Sequence, residues 1–180
     1  MKDSGIEGLE MVPKHWNIVK LRYLIQFQPP KSEVKEKNIE CTFLPMEKLK
    51  NGKMVLDENR IIDEVYTGYT YFKENDIVLA KVTPCFENGN IAIAKNFTNS
   101  IGFGTTEIYT LRAQKISKEF LFYALQDERF KNEGISSMYG TGGLKRVPGN
   151  FILNYKVVVP SNTEQQQIVD FLNEKTEYIE

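Results

Sequence analysis

The order of apolar and polar residues divides the chain into a strand-rich first part and a helix-rich second part. Short apolar or alternating segments are typical of strands, and they predict strands at residues 16–20, 41–46, 77–82, 91–95 and 106–112. Asn51-Gly52 favours a tight hairpin turn between strand-like flanks. Weaker patterns predict a loose polar leader over residues 1–13 and a short helix over residues 21–27.

Helical periodicity replaces the strand pattern after Ser117. Phe120, Leu121, Ala124 and Leu125 fall on one helical face, and Ser117 stands where it can cap that helix. A second helical segment is predicted over residues 127–137. A glycine-rich loop over residues 139–150 follows, and the sequence then predicts a strand over residues 153–160.

The last segment carries the clearest helical signal. Thr163 and Gln166 occupy capping-box positions, with Pro160 just upstream. The apolar periodicity continues towards Glu180 without a stop signal. We therefore expect this helix to pair with another helix, as in a coiled coil; the alternative is that it docks on its own domain. The predicted pairing stripe consists of Ile168, Phe171, Leu172 and Ile179.

Together these patterns predict an α+β fold. Residues 1–160 are expected to form a globular domain of mixed or antiparallel strands and short helices. Residues 161–180 are expected to begin a separate helix used for helix–helix pairing. The predicted organisation is thus one domain followed by a helical arm.

Composition narrows the classes of function. The net charge is −1 and the pI is about 6.0, whereas a freestanding non-specific nucleic-acid binder is usually basic, so any basic surface must be local. The sequence shows neither an apolar run long enough to cross a bilayer nor a signal-peptide pattern, and we expect a cytoplasmic protein. One histidine and the distant Cys41 and Cys85 do not supply a zinc site, so no metal is expected.

The glycine-rich segments do not match nucleotide-binding motifs. Gly140 to Lys145 lacks the spacing of a P-loop and the Ser or Thr that follows its lysine. In Gly102 to Glu107, a glutamate stands where a dinucleotide fingerprint requires its last glycine. No arrangement of residues indicates catalysis, and the chain alone is not expected to be an enzyme.

Polar side chains beside glycines or at strand ends instead indicate candidate DNA contacts. Sequence readout needs polar side chains on loops held by a scaffold, with cations that contact phosphates. The alternative for each segment is an ordinary turn, a strand edge or a solvated cation. The candidates are Lys81, Thr83, Thr105, Thr106, Thr141, Gly142, Gly143, Lys145 and Arg146.

The order of several short motifs along nearly the whole chain is similar to that of a known family. The motifs are Val12-Pro13-Lys14-His15-Trp16 with Leu21, Asn75 to Lys81, Glu87-Asn88-Gly89, Gly102 to Glu107, Leu144 to Val147, Val159-Pro160, Glu164 to Ile168, and Phe171-Leu172. In this order they resemble the specificity (S) subunit of type I restriction-modification systems, and Asn88, within one of the motifs, joins the candidate DNA contacts.

The resemblance implies a target-recognition domain followed by the helix of a conserved region. Specificity subunits carry two such domains, each reading half of a split DNA sequence, and their two helices pair antiparallel as a spacer. Modification subunits bring S-adenosylmethionine-dependent adenine methylation, and restriction subunits bring ATP-driven translocation and cleavage. S-adenosylmethionine, ATP and Mg are therefore expected on partner subunits, with no cofactor in this chain.

The sequence has one such domain and one such helix, which indicates a half-subunit or a fragment. Its helix is then expected to pair with a second recognition half or with a second copy of the chain. The main hypothesis is that the chain binds one half-site in duplex DNA. The rival is a protein–protein adaptor that does not bind DNA, and a third, weaker hypothesis is a nucleotide-binding enzyme. A positive concavity bounded by residues 81–84, 102–106 and 140–146 would favour DNA.

Overall fold

Two four-stranded sheets occupy the centre of the computed structural model, which describes residues 1–177. The strands are β1 (Lys2–Ile6), β2 (Leu9–Val12), β3 (Asn17–Lys20), β4 (Ile25–Phe27), β5 (Glu40–Leu44), β6 (Asn59–Ile61), β7 (Thr70–Lys73), β8 (Ile77–Ala80), β9 (Ile91–Ile93), β10 (Ile101–Gly104), β11 (Ile108–Ala113) and β12 (Lys156–Val159). The helices are α1 (Ile62–Val65), α2 (Lys118–Ala124), α3 (Glu128–Ser137), α4 (Gly149–Asn154) and α5 (Asn162–Glu177).

The two central sheets differ in their strand directions. One has the order β6-β5-β10-β7, in which β10 is parallel to β5 and antiparallel to β7. The other has the order β4-β11-β8-β9 and is antiparallel throughout. Two small pairs, β1-β2 and β12-β3, lie outside them. The α+β prediction of mixed and antiparallel strands with short helices is confirmed.

Every residue of strand β8 is apolar because both faces of the strand are covered by other parts of the fold. Successive side chains of a strand point to opposite faces of the sheet. Val78 and Ala80 pack with residues of the first sheet, such as Phe72. Ile77 and Leu79 pack into the core on the helical side. Because both faces are covered, all of β8 is buried, as the sequence predicted.

Helices α2 and α3 begin at the residues that the sequence indicated. The side chain of Ser117 accepts a hydrogen bond from the Phe120 amide, and that of Asp127 accepts one from the Arg129 amide. Each bond satisfies a backbone donor that has no partner within its helix. Leu121 of α2 and Phe130 of α3 are buried in the core beside the second sheet.

Three local predictions are wrong. Residues 1–13 are not a loose leader, because β1 and β2 form an antiparallel hairpin with positive φ at Gly5 and Gly8. Residues 21–27 form one 3-10 turn followed by β4 rather than a helix. Residues 153–160 begin inside α4, and the strand starts only at Lys156. Pairing with a distant strand fixes β4 against β11 and β12 against β3, whereas β1 and β2 pair with each other across a short turn.

The cap of the last helix also differs from the prediction. Glu164 Oε2 accepts hydrogen bonds from the Ser161 amide at 3.0 Å and the Ser161 hydroxyl at 2.7 Å. The Glu164 amide in turn donates to Ser161 Oγ at 3.4 Å. This reciprocal arrangement is a capping box, but it uses Ser161 and Glu164 instead of Thr163 and Gln166.

The first turns of α5 contact the domain. Gln165 is buried, its amide nitrogen donates to the Pro160 carbonyl, and its oxygen accepts from the Ser117 amide. Val169 is also buried. On the exposed side of this junction, Glu164 Oε1 accepts from Trp16 Nε1 at 3.0 Å and from His15 Nε2 at 2.7 Å. The beginning of the helix is therefore fixed to the domain that precedes it.

This junction predicts a pH dependence of stability. Hydrogen bonds from Trp16, His15 and Ser161 lower the pKa of Glu164 from its ordinary value of 4.5 to about 2. A carboxyl whose pKa is depressed by folding stabilises the fold above its unfolded pKa, and that stability is lost as the pH falls through the folded pKa. We expect Glu164→Gln to flatten the loss of unfolding free energy between about pH 5 and about pH 2. Denaturant titrations at several pH values measure it.

Glu174→Gln, which removes an exposed carboxylate farther along α5, is the matched control. It should leave the acid dependence of the unfolding free energy as it is in the parent chain. Equal slopes for the Glu164 variant and the parent would contradict the role assigned to this carboxylate.

Candidate nucleic-acid interface

Three segments that are far apart in sequence meet at one end of the second sheet. The Lys81 amide donates to the Glu107 carbonyl at 3.0 Å, and the Val147 amide donates to the Lys81 carbonyl at 2.9 Å. The Thr83 amide donates to the Lys145 carbonyl at 2.9 Å. We call residues 81–84, 104–107 and 139–147 the loop cluster. Strand pairing brings the first two segments together, because β8 ends where β11 begins, and the bonds to Lys81 and Thr83 attach the third.

The glycine-rich part of the loop cluster is a closed hairpin. The Tyr139 amide donates to the Arg146 carbonyl at 3.1 Å, and the Arg146 amide returns a bond of 2.9 Å to the Tyr139 carbonyl. Gly142 and Gly143 form the tip with φ of +66° and +80°, and the space around both is open. Such backbone angles favour glycine. The tip is therefore an exposed turn held at its base by backbone hydrogen bonds.

Arg146 and Glu107 form a bidentate ion pair across the loop cluster. Arg146 Nε donates to Glu107 Oε2 at 2.8 Å, and Arg146 Nη2 donates to Glu107 Oε1 at 2.7 Å. The hydrogen bonds and charge of Arg146 outweigh burial and lower the pKa of Glu107. The two side chains are 36% and 26% exposed. The pair is thus ionised and reachable from solvent.

Lys81 lies beside this pair in a half-buried position. Its Nζ is 5.0 Å from the centre of the Tyr109 ring. Burial lowers the pKa of Lys81; Glu107 opposes this effect and Arg146 adds to it. The Tyr109 hydroxyl donates to the Val147 carbonyl at 2.8 Å, and burial raises the pKa of Tyr109 to about 12. Lys81 is thus a partly desolvated cation beside a fixed ion pair.

The hydroxyl groups of the threonine candidates differ in their availability. Thr83 Oγ1 donates to Glu87 Oε1 at 3.3 Å, and Thr105 Oγ1 accepts from the Glu107 amide at 3.2 Å. These two hydroxyls support the loops. Thr106 and Thr141 are exposed and so present their hydroxyls to solvent.

The remaining candidates are placed as follows. Lys145 is exposed in the arm of the hairpin. Asn88 lies in the turn that follows Pro84, where it lines a cleft with Asn51 and Lys131. The structure therefore brings together all the DNA-contact candidates except Asn88, which faces this other cleft.

The predicted pairing stripe of α5 divides between two environments. Ile168 and Leu172 are half-buried and line a groove with Phe120 and Tyr123 of α2. Phe171 is 57% exposed on another side of the helix. Ile179 lies outside the described residues. The pairing of α5 with a second helix stays a prediction.

Sequence reasoning missed Glu107 as part of the candidate site. The sequence identified this glutamate only as the residue that breaks a dinucleotide fingerprint and as the end of one family motif, and nothing in the sequence shows that it lies beside Arg146. Opposite charges on two glycine-containing loops were the available signal. The pairing of β8 with β11, together with the backbone bonds between the hairpin and residues 81–83, brings these loops together.

Two structural features are not found in the part of the chain that the structure describes. Residues 1–177 contain no group of His, Cys, Asp or Glu side chains placed to hold a metal ion. No helix within those residues is long and apolar enough to cross a bilayer.

The fold is similar to that of solved proteins of type I restriction-modification systems. The HsdS subunit from Thermoanaerobacter tengcongensis superimposes with a TM-score of 0.73 at 20% identity, covering 96% of this chain and 45% of that one. A second structure, described as showing complex assembly and conformational transition of the type I R-M system, has a TM-score of 0.74 at 18% identity over 94% of this chain and 44% of its own.

Sequence similarity establishes the family. The type I restriction enzyme EcoEI specificity subunit of Escherichia coli is 35% identical over 162 residues, which are 88% of this chain and 27% of that protein. The MjaVIII specificity subunit of Methanocaldococcus jannaschii is 29% identical over 179 residues, 94% of this chain and 41% of that protein. Residues 13–180 match the type I restriction modification DNA specificity domain, and the chain belongs to that family.

The resemblance inferred from the order of motifs is thereby confirmed. The chain spans 27% to 41% of the curated relatives described above. What the full-length relatives do is therefore a proposal for this chain.

Proposed function

We propose that the chain recognises one half of a split target sequence in duplex DNA, as part of the specificity component of a type I restriction-modification complex. The observation that carries the proposal is the loop cluster, which supports polar and cationic side chains on backbone-bonded loops at one end of a sheet. Such a surface provides both phosphate and base contacts. Membership of the specificity domain family supports the same function.

The charges of the loop cluster agree with a local basic surface on a nearly neutral chain. Lys81, Lys145 and Arg146 outnumber Glu107 within it. A reader that shares phosphate contacts with partner subunits does not need a high overall charge. We assign methylation and cleavage to partner subunits, which would also bind S-adenosylmethionine, ATP and Mg. We assign the assembly to the cytoplasm. We assign α5 to contact with a second recognition half or with a second copy of the chain.

A domain exchange tests the proposal. Residues 1–160 replace one recognition domain of a full-length specificity subunit, which is assembled with its modification subunits. Sequencing of methylated genomic sites should then show one new half-site and one unchanged half-site. Methylation that keeps both original half-sites would contradict DNA recognition by this domain and favour the adaptor.

Lys145 supplies a prediction about phosphate contact. Lys145→Ala in the assembled complex should weaken binding by a similar factor on specific and non-specific duplexes. The slope of log K against log salt should fall by about one unit, because one cation–phosphate contact is lost. Binding titrations at several salt concentrations measure this change.

Lys53→Ala is the matched control, since Lys53 is an exposed lysine in a turn outside the loop cluster. It should leave both affinity and salt slope unchanged. An unchanged salt slope for Lys145→Ala would show that Lys145 does not contact phosphate.

A further inference from the structure

The Arg146–Glu107 pair uses only one edge of the guanidinium group. A guanidinium has five N–H donors in a planar fork. The Nε and Nη2 edge of Arg146 is bonded to Glu107. The other edge, formed by Nη1 and the second Nη2 hydrogen, makes no hydrogen bond with any residue of segment 1–177. That edge has the spacing of donors needed for a bidentate contact.

The backbone on both sides of the pair is fixed. Arg146 exchanges two hydrogen bonds with Tyr139 and also forms a bridge with Val82. The Glu107 amide donates to Thr105 Oγ1, and the Glu107 carbonyl accepts from the Lys81 amide. The arginine is therefore oriented before any ligand binds, which reduces the entropy lost on binding.

Charge distinguishes between the two ligands that such an edge can take in DNA. A phosphate is anionic, and the Glu107 carboxylate, 2.7 Å from the guanidinium nitrogen, would repel it. The edge of a base is neutral. Guanine presents O6 and N7 as adjacent acceptors in the major groove, and a bidentate arginine is their commonest specific partner. The ion pair is thus better suited to guanine than to phosphate.

We infer that Arg146 reads a guanine of the half-site through its free Nη1–Nη2 edge, and that Glu107 is the positioning residue that holds the guanidinium for this contact. The inference rests on the proposed function, since it requires that the loop cluster face DNA. It adds that the half-site contains a G·C pair and names the residue that specifies it.

The test uses the assembled complex with Arg146→Lys. Lysine keeps the charge, so a phosphate contact would survive, but it lacks the planar fork. We expect methylation of the native site to fall roughly tenfold to hundredfold. The preference should relax at one G·C position and persist at the others. Methylation of a library of half-sites, read by sequencing, measures each position separately.

Two further variants test the positioning role of Glu107 and supply a control outside the loop cluster. Glu107→Gln should relax the same single position to a smaller extent, because the amide still accepts one hydrogen bond from Arg146. Arg60→Lys alters a similar Arg–Glu pair on β6, in which Arg60 Nε and Nη2 donate to Glu58 Oε1 at 3.0 and 2.7 Å. It lies outside the loop cluster and should leave the profile unchanged.

The failure of this inference can be distinguished from failure of the proposed function. If the exchanged domain dictates a half-site but Arg146→Lys changes no single position, or lowers methylation equally at all positions, guanine reading by Arg146 is wrong while DNA recognition stands. If the exchanged domain dictates no half-site, both are wrong.

Discussion

Arg112→Ala should lower the free energy of unfolding by about 3–5 kcal/mol, which is typical when one partner of a buried ion pair is removed. Arg112 Nε and Nη2 donate to the two oxygens of Asp76 at 2.7 and 2.8 Å. Asp76 is 1% exposed and the Arg112 side chain 15%. Without the guanidinium, the Asp76 carboxylate would be left buried with one hydrogen bond, from the Lys73 amide. Denaturant unfolding of the variant measures the loss.

A double variant distinguishes the cost of burying an unpaired carboxylate from the cost of losing the packing of the Arg112 side chain. Arg112→Met with Asp76→Asn removes both charges, and the asparagine oxygen can still accept from the Lys73 amide. We expect the double variant to be more stable than Arg112→Ala, because no uncompensated charge is buried. Glu33, which accepts two bonds of 2.8 Å from Arg112 Nη1, is half-exposed and is solvated once Arg112 is removed. A double variant no more stable than the single one would contradict this account.

An ion pair lies at each end of the β8–β11 strand pair, and the two ion pairs differ in how deeply they are buried. Asp76 and Arg112 stand at the end of β8 and β11 where water is excluded. Glu107 and Arg146 stand at the other end, where both side chains are partly exposed. A buried pair holds the sheet together but has no free edge for a ligand. The partly exposed pair in the loop cluster leaves one edge of the Arg146 guanidinium without a hydrogen bond to residues 1–177.

The sequence predicted those elements whose signals are local. Ser117 and the beginning of the helical pattern at Asp127 marked the starts of α2 and α3, and the apolar run of residues 77–82 predicted the strand that forms β8. The β1-β2 hairpin was missed because residues 1–13 are largely polar and depend on pairing and on positive φ at Gly5 and Gly8. Local propensity does not reveal such pairing.

The arrangement of the candidate site likewise depends on pairing that local sequence signals do not reveal. Lys81, Thr105 and the glycine loop were each identified as possible contacts, but as three separate loops. Their meeting point depends on the register of β8 against β11 and on the bonds that tie the hairpin to Lys81. The ion pair joins residues 39 positions apart, and a charge pattern alone does not specify such a contact.

Gly102→Ala should destabilise the fold by about 1–3 kcal/mol or more, the usual cost of overpacking a well-filled core. Gly102 lies in β10 directly opposite Phe72 of β7. A Cβ on Gly102 would lie 2.2 and 2.3 Å from two ring carbons of Phe72, a side chain with no solvent exposure. The ring covers the glycine and cannot move without disturbing the core between the two sheets. Unfolding by denaturant or heat measures the effect.

Phe72→Leu tests whether the ring is the cause. The smaller side chain leaves room for the new methyl group. The double variant Gly102→Ala with Phe72→Leu should therefore lose less stability than the sum of the losses in the two single variants. Gly143→Ala is the control: its φ of +80° predicts a backbone cost of about 1 kcal/mol, its surroundings are open, and Phe72→Leu should not reduce that cost. Additive losses for Gly102→Ala and Phe72→Leu would show that the contact between glycine and ring is not what limits residue 102.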